Sequence, residues 1–115
     1  MMSSRTAEKV ARIVEQEITK FCDNYDSKTR EVLGHDKYKI ERMFRVRVQQ
    51  SEHAPSWWGV YVYTDGDIYE ELYDYNNPKA FDNRDKIMAA INKKMKWRPG
   101  DHYFEHEGGG VMFLY

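Results

Sequence analysis

The chain has 115 residues, a mass of 13.8 kDa and a formal net charge of −1. This length is typical of one domain with a single hydrophobic core. With 32% charged and 41% hydrophobic residues, the composition excludes collagen-like and low-complexity classes. No apolar run reaches the roughly 18 residues that predict a membrane-spanning helix. We therefore expect residues 1–115 to form a single folded domain without membrane contact.

Two features bear on the cellular compartment. The first five residues lead directly into an amphipathic pattern, without the apolar block and small-residue cleavage site of a secretory signal. The single cysteine, Cys22, cannot form an internal disulfide, which fits a reducing environment. Both observations predict a cytoplasmic protein.

The small net charge hides a segregation of charge along the chain. Residues 55–78 contain five acidic residues and no Lys or Arg, whereas residues 79–98 contain seven basic and two acidic residues. Residues 99–115 contain three acidic residues and again no basic one. Because nucleic-acid-binding proteins usually carry a strong basic excess, this balance argues against general nucleic-acid binding.

The N-terminal segment has the apolar spacing of one helical face. Its apolar residues recur at i, i+3, i+4 and i+7, which predicts an amphipathic helix over residues 5–25. Ser4 or Thr6 would cap the first turn. The polar stretch 23–28 predicts a turn, followed by a short helical turn over residues 29–33.

Between residues 38 and 50 the apolar period changes to two. The even-numbered apolar residues share one side of the segment, whereas Arg45 and Arg47 share the other side. This alternation predicts a half-buried strand with a basic outer face.

A β-hairpin is predicted next. Residues 57–64 and 67–75 are rich in aromatic and β-branched side chains, and Asp65-Gly66 joins them. This dipeptide is a strong hairpin signal because a type I′ turn needs a positive φ at both central positions. We therefore predict two antiparallel strands that pair within residues 57–75.

The remaining elements complete the predicted fold. Asn77-Pro78 is a helix-start signal, and the apolar spacing that follows predicts a helix over residues 78–97. Residues 102–107 and 111–115 flank three glycines and predict a second hairpin. The predicted class is α+β, with an antiparallel sheet of about five strands packed against two amphipathic helices in the order α-β-β-β-α-β-β.

Histidine spacing does not predict a metal site. His102 and His106 are four residues apart, a spacing that brings two rings to one ion only on a helix. On the predicted strand the two rings would stand roughly 13 Å apart, with Asp101 and Glu105 pointing to the other side. We expect no metal and interpret both residues as surface histidines.

Nucleophilic and phosphate-binding motifs are missing as well. His53 lies near Ser51 and Ser56, and His35 lies in another predicted loop, but no Gly-x-Ser-x-Gly turn accompanies them. The glycines at 108–110 lack the lysine and helix start of a phosphate-binding loop. The sequence therefore predicts a non-enzymatic protein without catalytic residues or cofactors.

The predicted hairpin is the most distinctive segment. Residues 57–75 contain five of the nine tyrosines, two of the three tryptophans and five acidic residues, with no basic residue. Tyr and Trp are enriched in binding hot spots, and carboxylates among them favour a basic partner. We therefore predict a protein-binding module, an adaptor or inhibitor, that docks this segment on a basic surface of a partner protein. The predicted partner-binding residues are Trp57, Trp58, Tyr61, Tyr63, Tyr69, Glu70, Glu71, Tyr73 and Asp74.

Two alternatives compete with this interpretation. The rings would instead build the core if the hairpin is buried, and its acids would then pair with the chain's own basic residues. A single-stranded nucleic acid is the alternative partner, because a basic strand beside sheet aromatics can contact phosphates and stack bases. The alternative nucleic-acid-binding residues are Lys37, Lys39, Arg45, Arg47, Lys93 and Lys94.

The apolar run 111–115 allows two interpretations. It predicts a strand covered on both sides, or an unpaired edge strand that accepts a partner strand. In the second case the chain forms a homodimer through that edge.

Overall fold

The computed structural model describes residues 2–33, 44–51 and 56–115, and for residues 21–33 and Asp67 it describes the backbone only. Within these ranges the chain forms three helices and four strands. In chain order they are α1 (Ser4–Leu33), β1 (Phe44–Gln50), β2 (Trp58–Thr64), α2 (Gly66–Leu72), α3 (Pro78–Met95), β3 (Glu105–Gly108) and β4 (Val111–Leu114).

The four strands form one antiparallel sheet in the order β1-β2-β4-β3. Val62 in β2 lies opposite Val46 in β1 on one side and opposite Met112 in β4 on the other. The α+β class and the antiparallel sheet are therefore confirmed. The expected five strands and the element order are wrong, because one predicted strand is a helix.

All three helices contribute to one core on a single face of the sheet. The even-numbered apolar residues of β1, β2 and β4 point into this core, and the side chains of α1 that meet them are fully buried. Odd-numbered strand residues point away from it, as the period of two requires. The central buried residues are Val10, Val14, Ile18, Val60, Val62, Ile68, Leu72, Ile87, Ile91, Met112 and Leu114.

The predicted hairpin over residues 57–75 does not form. Asp65 instead caps α2, its carboxylate accepting the backbone N–H of Gly66, which has a φ of 55°. Ile68 and Leu72 are four residues apart and both fully buried, so the helical spacing buries two apolar side chains on one face. The free side of β2 pairs with β4 rather than with residues 67–75.

Side chains of α3 satisfy the last carbonyls of α2. Arg84 is buried, and its Nη1 donates to the carbonyls of Leu72 at 3.0 Å and Tyr73 at 3.2 Å. The amides of Asn77 and Asn83 donate to the two preceding carbonyls at 2.8 and 2.7 Å. A seven-residue helix is marginal on its own, so α2 depends on these contacts and on its buried face.

The helix boundaries partly match the predictions. The predicted turn at residues 23–28 is wrong, since α1 continues to Leu33. Its first turn is capped by Ser3, whose hydroxyl accepts the N–H of Thr6 at 3.2 Å. The Asn77 cap of α3 is confirmed, although the helix ends at Met95 with Lys96 in the left-handed region at a φ of 56°.

The second hairpin is confirmed, with β3 and β4 antiparallel around the glycines at 108–110. The interpretation of residues 111–115 as an unpaired edge is wrong, because β4 lies between β2 and β3. Among the described strands, β1 and β3 form the edges of the sheet. None of the helices in the described ranges is long and apolar enough to cross a membrane.

Candidate functional site

The sheet face opposite the core carries an unusual concentration of aromatic side chains, and we call it the aromatic face. None of its residues belongs to the buried core cluster, and the described helices pack on the opposite side of the sheet. It is formed by odd-numbered strand residues, by the residue that precedes β2 and by the residue that follows β4. The aromatic face consists of Arg45, Arg47, Trp57, Tyr61, Tyr63, Glu105, Val111, Phe113 and Tyr115.

Three rings form the centre of this face. Tyr61 stacks on Phe113 with ring centroids 5.6 Å apart, and Tyr115 meets both rings at 6.2 and 5.0 Å. The hydroxyls of Tyr61 and Tyr115 share a hydrogen bond of 2.6 Å. The Tyr115 ring lies across Gly59, where a Cβ would stand 2.5 Å from its Cε1. Gly59 therefore leaves the space that this ring occupies.

The β1 edge of the aromatic face is basic. The guanidinium of Arg45 lies 5.3 Å from the centre of the Tyr63 ring, a cation–π contact. The Tyr63 hydroxyl accepts a hydrogen bond from the Gln49 amide at 3.1 Å. Arg47 is exposed and lies opposite Tyr61 in the register. This edge therefore presents two guanidinium groups beside two tyrosine rings.

The opposite end of the aromatic face is acidic and contains a cavity of about 210 Å³. Trp57 and Tyr115 meet there edge to face, with ring centroids 6.3 Å apart. His102 donates through Nδ1 to the backbone oxygen of Tyr115 at 2.6 Å and stacks on Trp97 at 3.9 Å. The residues that line the cavity are Trp57, Asp101, His102, Tyr103, Glu105 and Tyr115.

A second aromatic cluster lies on the core side of β3. The His106 ring meets Tyr73 and Tyr75 edge to face at 4.9 and 5.1 Å, and the Tyr73 hydroxyl accepts the N–H of Gly108. Burial lowers the pKa of His106, and the charge of Arg84 lowers it further. Burial also raises the pKa of the Tyr73 phenol. Both groups are therefore held neutral near neutral pH.

The predicted partner-binding residues divide among three places. Trp57, Tyr61 and Tyr63 lie on the aromatic face, with Trp57 exposed and Tyr61 buried by its neighbours. Trp58, Tyr69 and Tyr73 pack against the core. Glu70, Glu71 and Asp74 lie on or just after α2. The predicted acidic ribbon is therefore not formed.

The alternative basic set is also divided. Arg45 and Arg47 lie on the aromatic face, whereas Lys93 and Lys94 lie on α3, and Lys94 forms an ion pair with Glu17 of α1 at 3.5 Å. The other predicted lysines, Lys37 and Lys39, lie outside the described residues, as do His35 and His53. The described part of the set therefore contributes two arginines to the aromatic face.

Sequence reasoning missed the contribution of β4 and the segment before β3. Phe113 and Tyr115 complete the aromatic centre, and Tyr103 with Glu105 completes the cavity. The apolar run 111–115 predicts a strand. Its pairing with β2 was hidden because Asp65-Gly66 assigned a different neighbour to β2.

Comparisons with known proteins add no relatives: no family model, curated protein or solved structure matches this chain. Among the described residues, no group of three or more His, Cys, Asp or Glu side chains is placed to hold a metal ion. A proposal about function therefore depends on the chemistry of the aromatic face itself.

Proposed function

We propose that this protein is a non-enzymatic protein-binding module, an adaptor or inhibitor in the cytoplasm, that docks through the aromatic face. The observation that carries the proposal is the arrangement of this face. Its centre consists of aromatic rings, one edge carries arginines and the opposite end carries carboxylates. Protein interfaces commonly have such an aromatic centre with a charged rim.

The composition of the face supports a protein partner. Tyr, Trp and Arg are the residue types most enriched in binding hot spots, and they make up most of the aromatic face. The rings are already held by contacts within the sheet, including the hydrogen bonds of Tyr61 and Tyr63. A partner would therefore meet side chains whose conformational entropy is already reduced, which favours affinity.

The charge at the two ends supports a defined orientation of the partner. Arg45 and Arg47 lie at the β1 edge, whereas Asp101 and Glu105 lie at the cavity end. A partner with a basic patch is attracted to the cavity end and repelled by the arginines. The predicted basic partner surface is therefore retained, but it meets Asp101 and Glu105 rather than the acids of α2.

Affinity capture with matched variants tests this proposal. Arg47→Ala and Tyr63→Ala change the aromatic face. Lys93→Ala and Tyr75→Ala remove a cation and a ring at exposed positions elsewhere. A protein captured from lysate of the native cell would be purified and titrated against all four variants by calorimetry. Circular dichroism would verify that each variant is folded.

We expect the two face variants to weaken binding about tenfold or more, the loss typical of hot-spot residues. The two controls should bind like the unaltered protein. Equal binding by the folded face variants and the unaltered protein would contradict the proposal. Equal losses in face and control variants would also contradict it.

A second candidate function follows from the β1 edge alone. The guanidinium groups of Arg45 and Arg47 lie beside Tyr61 and Tyr63, an arrangement in which single-stranded nucleic acid contacts phosphates and stacks bases. Against it, the acidic cavity end of the same face would repel a polyanion. The nucleic-acid interpretation therefore ranks below the protein interpretation.

A salt titration distinguishes the two functions. Two phosphate contacts predict a slope of about −1.4 for the logarithm of affinity against the logarithm of salt with a single-stranded oligonucleotide. The paired substitution Arg45→Gln/Arg47→Gln should bring that slope to about zero, while Lys93→Gln/Lys94→Gln serves as the charge-matched control. No binding at about 50 mM salt would eliminate this second function.

A further inference from the structure

The cavity at the acidic end of the aromatic face has the chemistry of a cation site. Its walls include the rings of Trp57, Tyr103 and Tyr115, and its rim carries Asp101 and Glu105. Trp57 is 40% exposed and Tyr103 is 62% exposed, so both rings are accessible to a ligand. We propose that this cavity binds an alkylammonium group, namely the side-chain ammonium of a lysine or methylated lysine on the partner protein.

The rings supply the first part of the recognition. A cation is attracted to the negative face of an aromatic ring, and several rings around one cation form the cages that bind quaternary ammonium groups. Trp57 and Tyr115 meet at an interplanar angle of 65°, so they form a corner rather than two parallel walls. A rounded ammonium group fits a corner, whereas a planar guanidinium group favours a parallel ring to stack on.

The carboxylates supply the second part. Asp101 and Glu105 are both exposed, and within the described ranges neither forms an ion pair with a Lys or Arg of this chain. Two exposed carboxylates beside three rings favour a cation over a neutral or anionic ligand. An anion would be repelled by both carboxylates and would gain no cation–π attraction from the rings.

The size of the cavity limits the ligand. Its volume of about 210 Å³ is smaller than the roughly 300–1,000 Å³ of pockets that enclose drug-sized ligands. The cavity therefore accommodates one side chain or one headgroup.

The Tyr115 wall is held in place before any ligand arrives. Tyr115 is fixed by its hydroxyl, which bonds Tyr61 at 2.6 Å, and by its backbone oxygen, which accepts from His102 at 2.6 Å. His102 is itself stacked on Trp97 at 3.9 Å. Preorganised walls reduce the entropy lost on binding. This inference rests on the proposed function, because it names the chemical group of the partner that the acidic end would receive.

Nuclear magnetic resonance with a small probe tests the cavity without any partner protein. Choline supplies a quaternary ammonium group, and 3,3-dimethylbutanol has nearly the same shape without the charge. The indole N–H signal of Trp57, assigned by its loss in Trp57→Phe, would be followed during titration with each compound at constant ionic strength. The signals of Trp58 and Trp97 serve as internal references.

We expect saturable shifts of the Trp57 signal with choline and about tenfold weaker binding of the neutral alcohol. Tyr103→Ala should weaken choline binding about tenfold, and Glu105→Gln about threefold. Tyr75→Ala removes a similarly exposed ring outside the cavity and should have no effect. Tyr103 and Glu105 lie at the surface, so their substitution should leave the fold intact.

Three results would overturn the inference: no saturable shift with choline, equal binding of the neutral alcohol, or equal losses for Tyr103→Ala and Tyr75→Ala. Each of these leaves the capture experiment on Arg47 and Tyr63 unaffected. Conversely, choline could bind the cavity while the Arg47 and Tyr63 variants bind a captured protein as tightly as the unaltered chain does. That result would contradict the proposed docking face and would leave the ammonium site supported.

Discussion

The packing of His106 makes the stability of the fold depend on pH. Its ring lies edge to face against Tyr73 and Tyr75, and its Nδ1 has no hydrogen-bond partner among the described residues. Burial lowers its pKa, with the charge of Arg84 adding to the effect. The neutral imidazole is therefore the form that the fold accommodates.

We expect this histidine to make the protein less stable in acid. Because the folded pKa lies below the ordinary value of about 6.5, the unfolded chain binds the proton first as pH falls. The stabilisation from the neutral ring is complete above about pH 6.5 and is lost as pH falls through the folded pKa. Urea unfolding at several pH values would measure this, and His106→Phe, which keeps an aromatic ring, should flatten the dependence. An unchanged pH dependence in that variant would contradict the assignment.

Gly59 is the second residue whose role follows from its surroundings. A Cβ at this position would meet the Tyr115 ring at 2.5 Å and the Tyr61 ring at 3.2 Å. We expect Gly59→Ala to displace Tyr115 and to destabilise the fold by about 1–3 kcal/mol, as overpacking usually does. Chemical denaturation would give this value. In a Tyr115→Ala background the same substitution should cost clearly less, and an equal cost in both backgrounds would contradict the role of Tyr115.

At the scale of elements, α2 and α3 form one unit. Arg84 and Asn83 of α3, together with its N-cap residue Asn77, satisfy the final carbonyls of α2, and Arg84 also stacks on Phe81 at 4.5 Å. A cation at the carbonyl end of a helix also interacts favourably with the helix dipole. The short helix is therefore stabilised mainly by its neighbour.

Replacing Arg84 tests this dependence. We expect Arg84→Met to lower the free energy of unfolding by about 2–3 kcal/mol, because two buried carbonyls lose a charged donor. Lys86→Met changes an exposed cation on the same helix and should stay within about 0.5 kcal/mol. Thermal or urea unfolding of both variants is the measurement. Similar stabilities of the two variants would show that α2 does not need the arginine.

The contacts between α2 and α3 also show why the sequence predicted some elements of the fold correctly and others wrongly. Alternation in β1, the Asn77-Pro78 start of α3 and the glycines before β4 are local signals, and the structure confirms each of them. Asp65-Gly66 is also a local signal, but helix caps and hairpin turns share these residue types. The hydrogen bonds of Arg84 and the pairing of β2 with β4 favour the helix cap over the hairpin turn at Asp65-Gly66. Both are long-range contacts.

At the scale of the whole molecule, the sheet separates two surfaces of different chemistry. The core side carries all the described helices, whereas the aromatic face combines rings, arginines and carboxylates. That face combines residues from all four strands and the segments next to them. The rings that the sequence assigned to one ribbon are shared between this face and the core, because successive β2 residues point to opposite faces and residues 66–72 form a helix on the core side.

Hydroxyl-radical footprinting of the protein, alone and with its captured partner, tests the docking face most directly. We expect Tyr63, Phe113 and Tyr115 to lose reactivity in the complex, while the exposed rings Tyr75 and Phe81 keep theirs. Protection of Tyr75 and Phe81 with unchanged labelling of the aromatic face would contradict it.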